Sequence, residues 1–216
     1  MSKRKFDTCF FERYAKLYLQ TILGEEYADL VNEDRPDLQK PDQSRGIEVT
    51  RAMEPRKDVA QELLSEMAGF EVHSEDKEDI GRIITSGYGY GLQDGRYIGQ
   101  IEYEYWRLAL PLRRIIESKV SKVGSGFYGD FDRYDLYVFC KDNLTEDEVV
   151  LIMEYTNDLQ RNIDIKYSKM YLSLIDRLYV CDLTDVSPEH HPTKCTFHEI
   201  TRGMRTLFFM QSLSTD

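Results

Sequence analysis

Apolar side chains recur at helical spacing near the start of the chain, with Phe10, Tyr14 and Leu17 in one row and Phe11, Tyr14, Tyr18 and Ile22 in another. Asp7 or Thr8 can accept the first free backbone N–H groups and Gly24 can end the last turn, so the spacing predicts a helix over 8–23. The period then changes. Between Leu30 and Ala52 two short extended pieces fit, the second being "GIEVTRA", whose β-branched Ile47, Val49 and Thr50 favour a strand. Pro36 and Pro41 confine the first piece to an edge or a bulge, because proline offers no N–H to a ladder. Helical spacing returns in Val59, Leu63 and Met67, with Asp58 and Gln61 placed as a capping box and Gly69 as a stop, which predicts a helix over 58–68.

Five glycines between Gly87 and Gly99 make 85–105 an insertion loop or hairpin. Its Gly-Tyr alternation lacks the lysine and the preceding strand of a phosphate-binding loop. Pro111 can open a helix that Gly124 ends. Residues 133–140, "RYDLYVFC", are nearly continuously apolar, as in a strand covered on both faces. Thr145 and Glu148 form a capping box for a helix to about Gln160, and 169–175 and 177–183 read as strands joined by a turn at Asp176-Arg177. Ile200, Met204, Leu207 and Phe208 give 197–213 helical spacing, within a C-terminal helical tail over 185–216. The order α-β-β-α, then α-β-α-β-β-α, predicts a single α/β domain with a mixed sheet over 1–216.

Composition supports a packed core, since 41% of the 216 residues are hydrophobic and 12% aromatic. After "MSKRK" the apolar run is broken by Asp7, Glu12, Arg13 and Lys16, and no stretch is long and apolar enough to span a bilayer, so the expectation is a cytoplasmic protein without a membrane partner. Cys9, Cys140, Cys181 and Cys195 are far apart in sequence and read as buried reduced thiols.

A net charge of −11 opposes non-specific binding to nucleic acid, which phosphate neutralisation dominates. The charge is uneven. Residues 142–158 carry Asp142, Glu146, Asp147, Glu148, Glu154 and Asp158 with no basic residue, whereas 35–57 carry Arg35, Lys40, Arg45, Arg51, Arg56 and Lys57. Residues 111–123 carry Arg113, Arg114, Lys119 and Lys122 against Glu117 alone. An anionic ligand would meet those two basic segments.

Ten residues separate Asp37 from Glu48, room for one strand to turn and return, so the two carboxylates can meet in a hairpin. Carboxylates that close repel unless a divalent cation lies between them, and hard oxygen donors suit Mg²⁺ or Mn²⁺. The sequence Pro36-Asp37, a gap, then Glu48-Val49-Thr50 resembles the motif of the PD-(D/E)xK nuclease superfamily. That resemblance implies a restriction-endonuclease-like fold, a mixed β-sheet flanked by helices, in which a first helix precedes a β-meander and a second helix leads to another strand. It also implies Asp37 and Glu48 as metal ligands, Glu12 on the first helix as an auxiliary ligand, and Gln61 near the site.

Thr50 stands where the motif carries lysine, and a hydroxyl cannot offset negative charge as an ammonium does. Arg51 alternates to the other face of a strand. The resemblance leaves Lys40, Lys119 or Lys122 to supply a relocated cation, and Arg113, Arg114, Lys119 and Lys122 to contact nucleic acid. Two functions follow from these residues: a Mg²⁺- or Mn²⁺-dependent nuclease acting on DNA or RNA, or a nuclease-like protein that has lost catalysis and binds a protein partner. A further cluster, His190, His191, Cys195 and His198, has ligand types but not the paired spacing of a structural zinc site.

Overall fold

Contacts divide the chain into two units, Met1–Arg51 with Ser118–Asp216, and Ala52–Glu117. The computed structural model describes residues 8–52, 92–93, 96–97, 100–140, 144–184 and 195–213. The helix expected over 58–68, with Gln61, lies outside these residues, as do His190 and His191.

In the first unit, helix α1 (Thr8–Leu23) forms where the apolar rows predict it and buries Ala15, Tyr18 and Leu19. Gly24 ends it at φ +78°, a left-handed conformation that favours glycine. A 3₁₀ turn (Gly24–Tyr27) leads to three strands, β1 (Val31–Asn32), β2 (Leu38–Gln39) and β3 (Gly46–Ala52). The proline-bearing segment thus splits into two short strands, with β1 at the sheet edge. Gly46 lets the hairpin close: a Cβ there would lie 2.6 Å from Pro36 Cγ, closer than real Cβ atoms pack, and in a tight 3.2 Å contact with the Phe131 ring.

The second unit contains a two-stranded antiparallel hairpin, β4 (Leu92–Gln93) and β5 (Arg96–Tyr97), in the glycine-rich stretch. Helix α2 (Gln100–Gly124) follows and continues into the first unit. It starts well before Pro111, which therefore sits in the helix interior. The preceding residues 100–110 hold neither glycine nor proline, and one proline removes a single backbone bond without ending a long helix.

Back in the first unit come β6 (Tyr134–Cys140), α3 (Glu146–Gln160), β7 (Tyr167–Ser173), β8 (Arg177–Asp182), β9 (Cys195–Glu199) and α4 (Arg202–Leu213). The tail differs from its helical reading: β9 pairs with β8 first and the helix starts only at Arg202, because alternation in "CTFHE" fits a half-covered strand as well as a helical row. The capping box of α3 is present as expected, Thr145 accepting from Glu148 N and Glu148 from Thr145 N at 2.7 Å.

The sheet has strand order β1-β2-β3-β6-β7-β8-β9. It is antiparallel from β1 to β3 and from β7 to β9, and parallel between β6 and β7. Gly46 N donates to Arg133 O at 2.9 Å, joining the starts of β3 and β6, which therefore run in the same direction. The architecture is a mixed α/β sheet flanked by helices. On one face, α1 and α4 pack Tyr18, Leu19 and Phe208 over Ile47, Val49, Tyr137, Tyr171 and Leu178. On the other, α3 buries Val149, Ile152 and Met153, and the Tyr179 hydroxyl donates to Leu144 O at 3.4 Å.

A buried ionic cluster lies among the side chains on the α1 face. Arg45, 4% exposed, bonds Asp135 at 3.3 Å and Glu26 at 2.5 Å, and its guanidinium stands 4.9 Å from the Tyr27 ring centroid. Asp135 also accepts from the Tyr171 hydroxyl at 3.1 Å and from Lys169 N at 3.0 Å. Even so, complete burial pushes its carboxyl up to about 6, with Arg45 and Tyr171 pulling it back. Arg45 therefore belongs to the interior and not to a basic surface. Among the described residues, no helix is long and apolar enough to cross a membrane.

Candidate functional site

The β2–β3 hairpin decides where the two acids lie. Leu38 pairs with Ile47 in antiparallel register, so Asp37, the residue before β2, stands opposite Glu48 on β3. Leu38, Ile47 and Val49 all join the core against α1. Alternation along the strands therefore aims Asp37 and Glu48 at the opposite face, where α2 ends. Val49 N donates to Asp37 Oδ2 at 2.7 Å, fixing the carboxyl against the neighbouring strand.

Burial and the facing charge of Glu48 push the Asp37 carboxyl up to about 7; Glu12 adds to this, while the Val49 N–H and Lys119 pull it back. Asp37 consequently exchanges a proton near neutral pH, the range in which a general acid or base works. Glu48 is 7% exposed and forms an ion pair with the Lys119 ammonium. Lys119 comes from α2, 71 positions away in sequence.

Tyrosines form the wall behind this pair. The Tyr167 hydroxyl donates to Lys119 O at 3.2 Å, anchoring the helix turn that carries the ammonium. The Tyr128 hydroxyl is buried within reach of the Tyr167 hydroxyl and the Glu48 carboxylate. Burial, then the nearby charge of Glu48, push its ionisation upward. It remains an O–H donor facing an acidic site. Neither tyrosine was legible beforehand. Tyr128 sits in the irregular "GSGFYGDF" turn and Tyr167 in a strand where tyrosine is ordinary, and no spacing rule links either to an acid many residues away.

The other candidates are distributed as follows. Glu12, on α1, is near enough to act on Asp37 electrostatically. Thr50, half-buried on β3, is two residues beyond Glu48 and so on its face. Arg51 lies 4.5 Å from the Phe11 ring centroid, toward α1. Lys40 is committed to Asp29 at 3.0 Å. Lys122, one turn from Lys119, stands 5.2 Å from the Phe127 ring centroid, and Arg35 approaches the same ring at 5.1 Å. Arg113 and Arg114 lie on the part of α2 that belongs to the second unit. His198 and Cys195, three apart on β9, point to opposite faces and do not share a ligand site.

No protein-family model, curated protein or solved structure matches the chain.

What the arrangement can do follows from its own atoms. Among the described residues, no three Asp, Glu, His or Cys side chains converge as a metal cage. Two hard carboxylates facing each other across a hairpin nevertheless fit a divalent cation of the Mg²⁺ type, which takes one or two carboxylates and completes its shell with water or phosphate oxygen. A cleft of about 840 Å³ opens at the starting ends of β6 and β7, but Asp42, Asp130, Asp132, Asp158 and Asp164 line it. Arg161 and Lys166 also line it, so acids outnumber bases there and the cleft is a poorer place for phosphate than the carboxylate–lysine site.

Proposed function

We propose that this chain is a Mg²⁺- or Mn²⁺-dependent phosphodiesterase acting on DNA or RNA, with a restriction-endonuclease-like fold and the PD-(D/E)xK site, in which Lys119 from α2 takes the place of the motif lysine. The observation that carries this reading is the meeting of three side chains: Asp37 opposite Glu48 across a hairpin, and the Lys119 ammonium on Glu48. Around them stand α1, the β1–β3 meander, α2 and β6, so that α2, after the β4–β5 hairpin, would fill the second-helix place that the resemblance gives to 58–68.

Asp37 and Glu48 would hold the metal, with Glu12 behind them. The bound ion would lower the pKa of water and offset charge on a phosphate. Lys119 would orient the attacking water and stabilise charge developing on the phosphoryl oxygens, as Thr50 cannot. Asp37, exchanging its proton near pH 7, would give up that proton as metal enters. Tyr128 would direct its O–H toward Glu48 or toward an entering phosphate oxygen.

The test is a cleavage assay on single- and double-stranded DNA and RNA in Mn²⁺, paired with calorimetric metal titration. Wild type binds metal and cuts, Asp37→Asn does neither, and Lys119→Met binds metal without cutting. Thr50→Lys added to Lys119→Met recovers weak cutting, because Thr50 shares the face of Glu48. A folded wild type that binds no metal overturns the proposal.

A second reading has its own support. The Lys119 ammonium already neutralises Glu48, and a chain with net charge −11 repels polyanions, as suits a nuclease-like fold turned to protein binding. Metal binding without cleavage of any substrate selects that reading.

A further inference from the structure

Far from the carboxylates, the last two strands of the sheet bring two thiols into contact. Cys181 of β8 and Cys195 of β9 are direct cross-strand partners, and their sulfurs lie 3.8 Å apart. Directly opposed residues of an antiparallel pair have Cα atoms about 4.5 or 5.5 Å apart. Both spacings fall within the roughly 4.4–6.8 Å that a disulfide spans. Closing the remaining gap needs side-chain rotation and no change of strand register.

The two thiols differ in access. Cys181 is fully buried, whereas Cys195 is half-buried on the edge strand. Cys195 lines a cavity of about 240 Å³ with Glu146, Val150, Tyr179 and Phe197, large enough for a peroxide and too small for a folded partner. The two also differ in chemistry. The sulfur–sulfur contact, in which either S–H can donate, holds the Cys195 thiol below its usual range against burial and the charge of Glu146, and the Cys195 S–H also reaches Thr196 O at 3.9 Å. The same contact, then burial, keep Cys181 protonated. A half-exposed thiol lining a cavity beside a fully buried one is the division of labour between an attacking and a resolving cysteine.

We propose that Cys181 and Cys195 form a reversible dithiol–disulfide site whose co-reactant is a small hydroperoxide. The Cys195 thiolate attacks one peroxide oxygen; an S–O bond forms, the O–O bond breaks, and the leaving oxygen takes up a proton as water or alcohol. The Cys181 sulfur then attacks the Cys195 sulfenic acid. The S–S bond forms as the S–O bond breaks, and the departing hydroxyl leaves as water with the proton that Cys181 gives up. Overall two thiols are oxidised by two electrons and the peroxide is reduced to water or to an alcohol and water. The product ties edge strand β9, and through it α4, to β8. The site stands independently of the carboxylate pair.

The experiment treats the folded full chain with equimolar hydrogen peroxide, alkylates the remaining thiols, and maps peptides by mass. The expected result is a Cys181–Cys195 linked peptide that loses the mass of two hydrogen atoms and separates again with dithiothreitol. In Cys181→Ser the oxidation stops at a Cys195 sulfenic acid that dimedone traps, and in Cys195→Ser neither product forms. Wild type in which Cys195 proceeds to sulfinic acid while Cys181 stays alkylatable overturns the proposal. So does wild type in which neither thiol reacts while the urea-unfolded chain is oxidised by the same peroxide. The wild-type map decides even if a variant fails to fold.

Discussion

Replacing Asp37 with asparagine should stabilise this protein at alkaline pH, the reverse of the usual result of removing a buried hydrogen-bonded acid. The sign follows from the direction of the shift. The Asp37 carboxyl moves from 3.8 to about 7 on folding, so the folded chain holds a proton that the unfolded chain has released. Stability is then undiminished only below the unfolded value and falls as pH rises toward the folded one. Three units at about 1.36 kcal/mol each give a full cost of roughly 4 kcal/mol above pH 7. About 1.6 kcal/mol of this is already present at pH 5, leaving roughly 2–3 kcal/mol to develop between pH 5 and 8. Solvent reaching the half-buried carboxyl screens part of that, so roughly 2 kcal/mol is the expected change. Asparagine keeps an oxygen for the Val49 N–H and offers its amide to Glu48, while carrying no charge to desolvate. Urea unfolding followed by circular dichroism at pH 5 and pH 8 measures the effect for both proteins. The Asp135 contribution has the same sign but appears in both and cancels. Equal loss of stability by wild type and Asp37→Asn over that interval would refute the argument.

Three further outcomes can be measured. Arg45→Met should destabilise by about 3–5 kcal/mol in urea because it strands the Asp135 carboxylate, and adding Asp135→Asn should recover most of the loss; an additive double mutant contradicts the coupling. Thr145→Ala should lower stability by about 1 kcal/mol through loss of the cap on α3, read as a shift in urea midpoint with an unchanged slope. Millimolar Mg²⁺ should raise the thermal midpoint of wild type at pH 8 and leave that of Asp37→Asn unmoved, since binding to the folded state alone stabilises by mass action.

Local pattern exposed much of the fold and half of the site. The first helix, the strand "GIEVTRA", the central strand "RYDLYVFC" and the Thr145 capping box are written in spacings of two to four residues, which a single segment reports by itself. The Asp37–Glu48 juxtaposition was also visible, because a hairpin is the shortest long-range structure a chain can make. The start of α2 was not, since a proline at 111 looks like a beginning and is here an interior residue. Arg45 looked like part of a basic surface; only the fold shows Asp135 and Glu26 waiting for it. Tyr128, Tyr167 and the Cys181–Cys195 contact depend on which strands become neighbours, and no residue's own surroundings in the sequence encode that.

The position of Ala52–Glu117 in the chain has a kinetic consequence. The chain leaves the first unit at the last residue of the acid-bearing strand and re-enters it one residue before Lys119. The carboxylates therefore meet through a short loop, whereas their counterion must be carried back across 71 positions. Closing the longer loop loses more chain entropy, and non-local contacts of this kind form late. On that ordering the hairpin is expected to bring the two acids face to face before their counterion arrives. A late-arriving ammonium should act chiefly as a brake on unfolding, so Lys119→Met is expected to speed unfolding more than it slows folding.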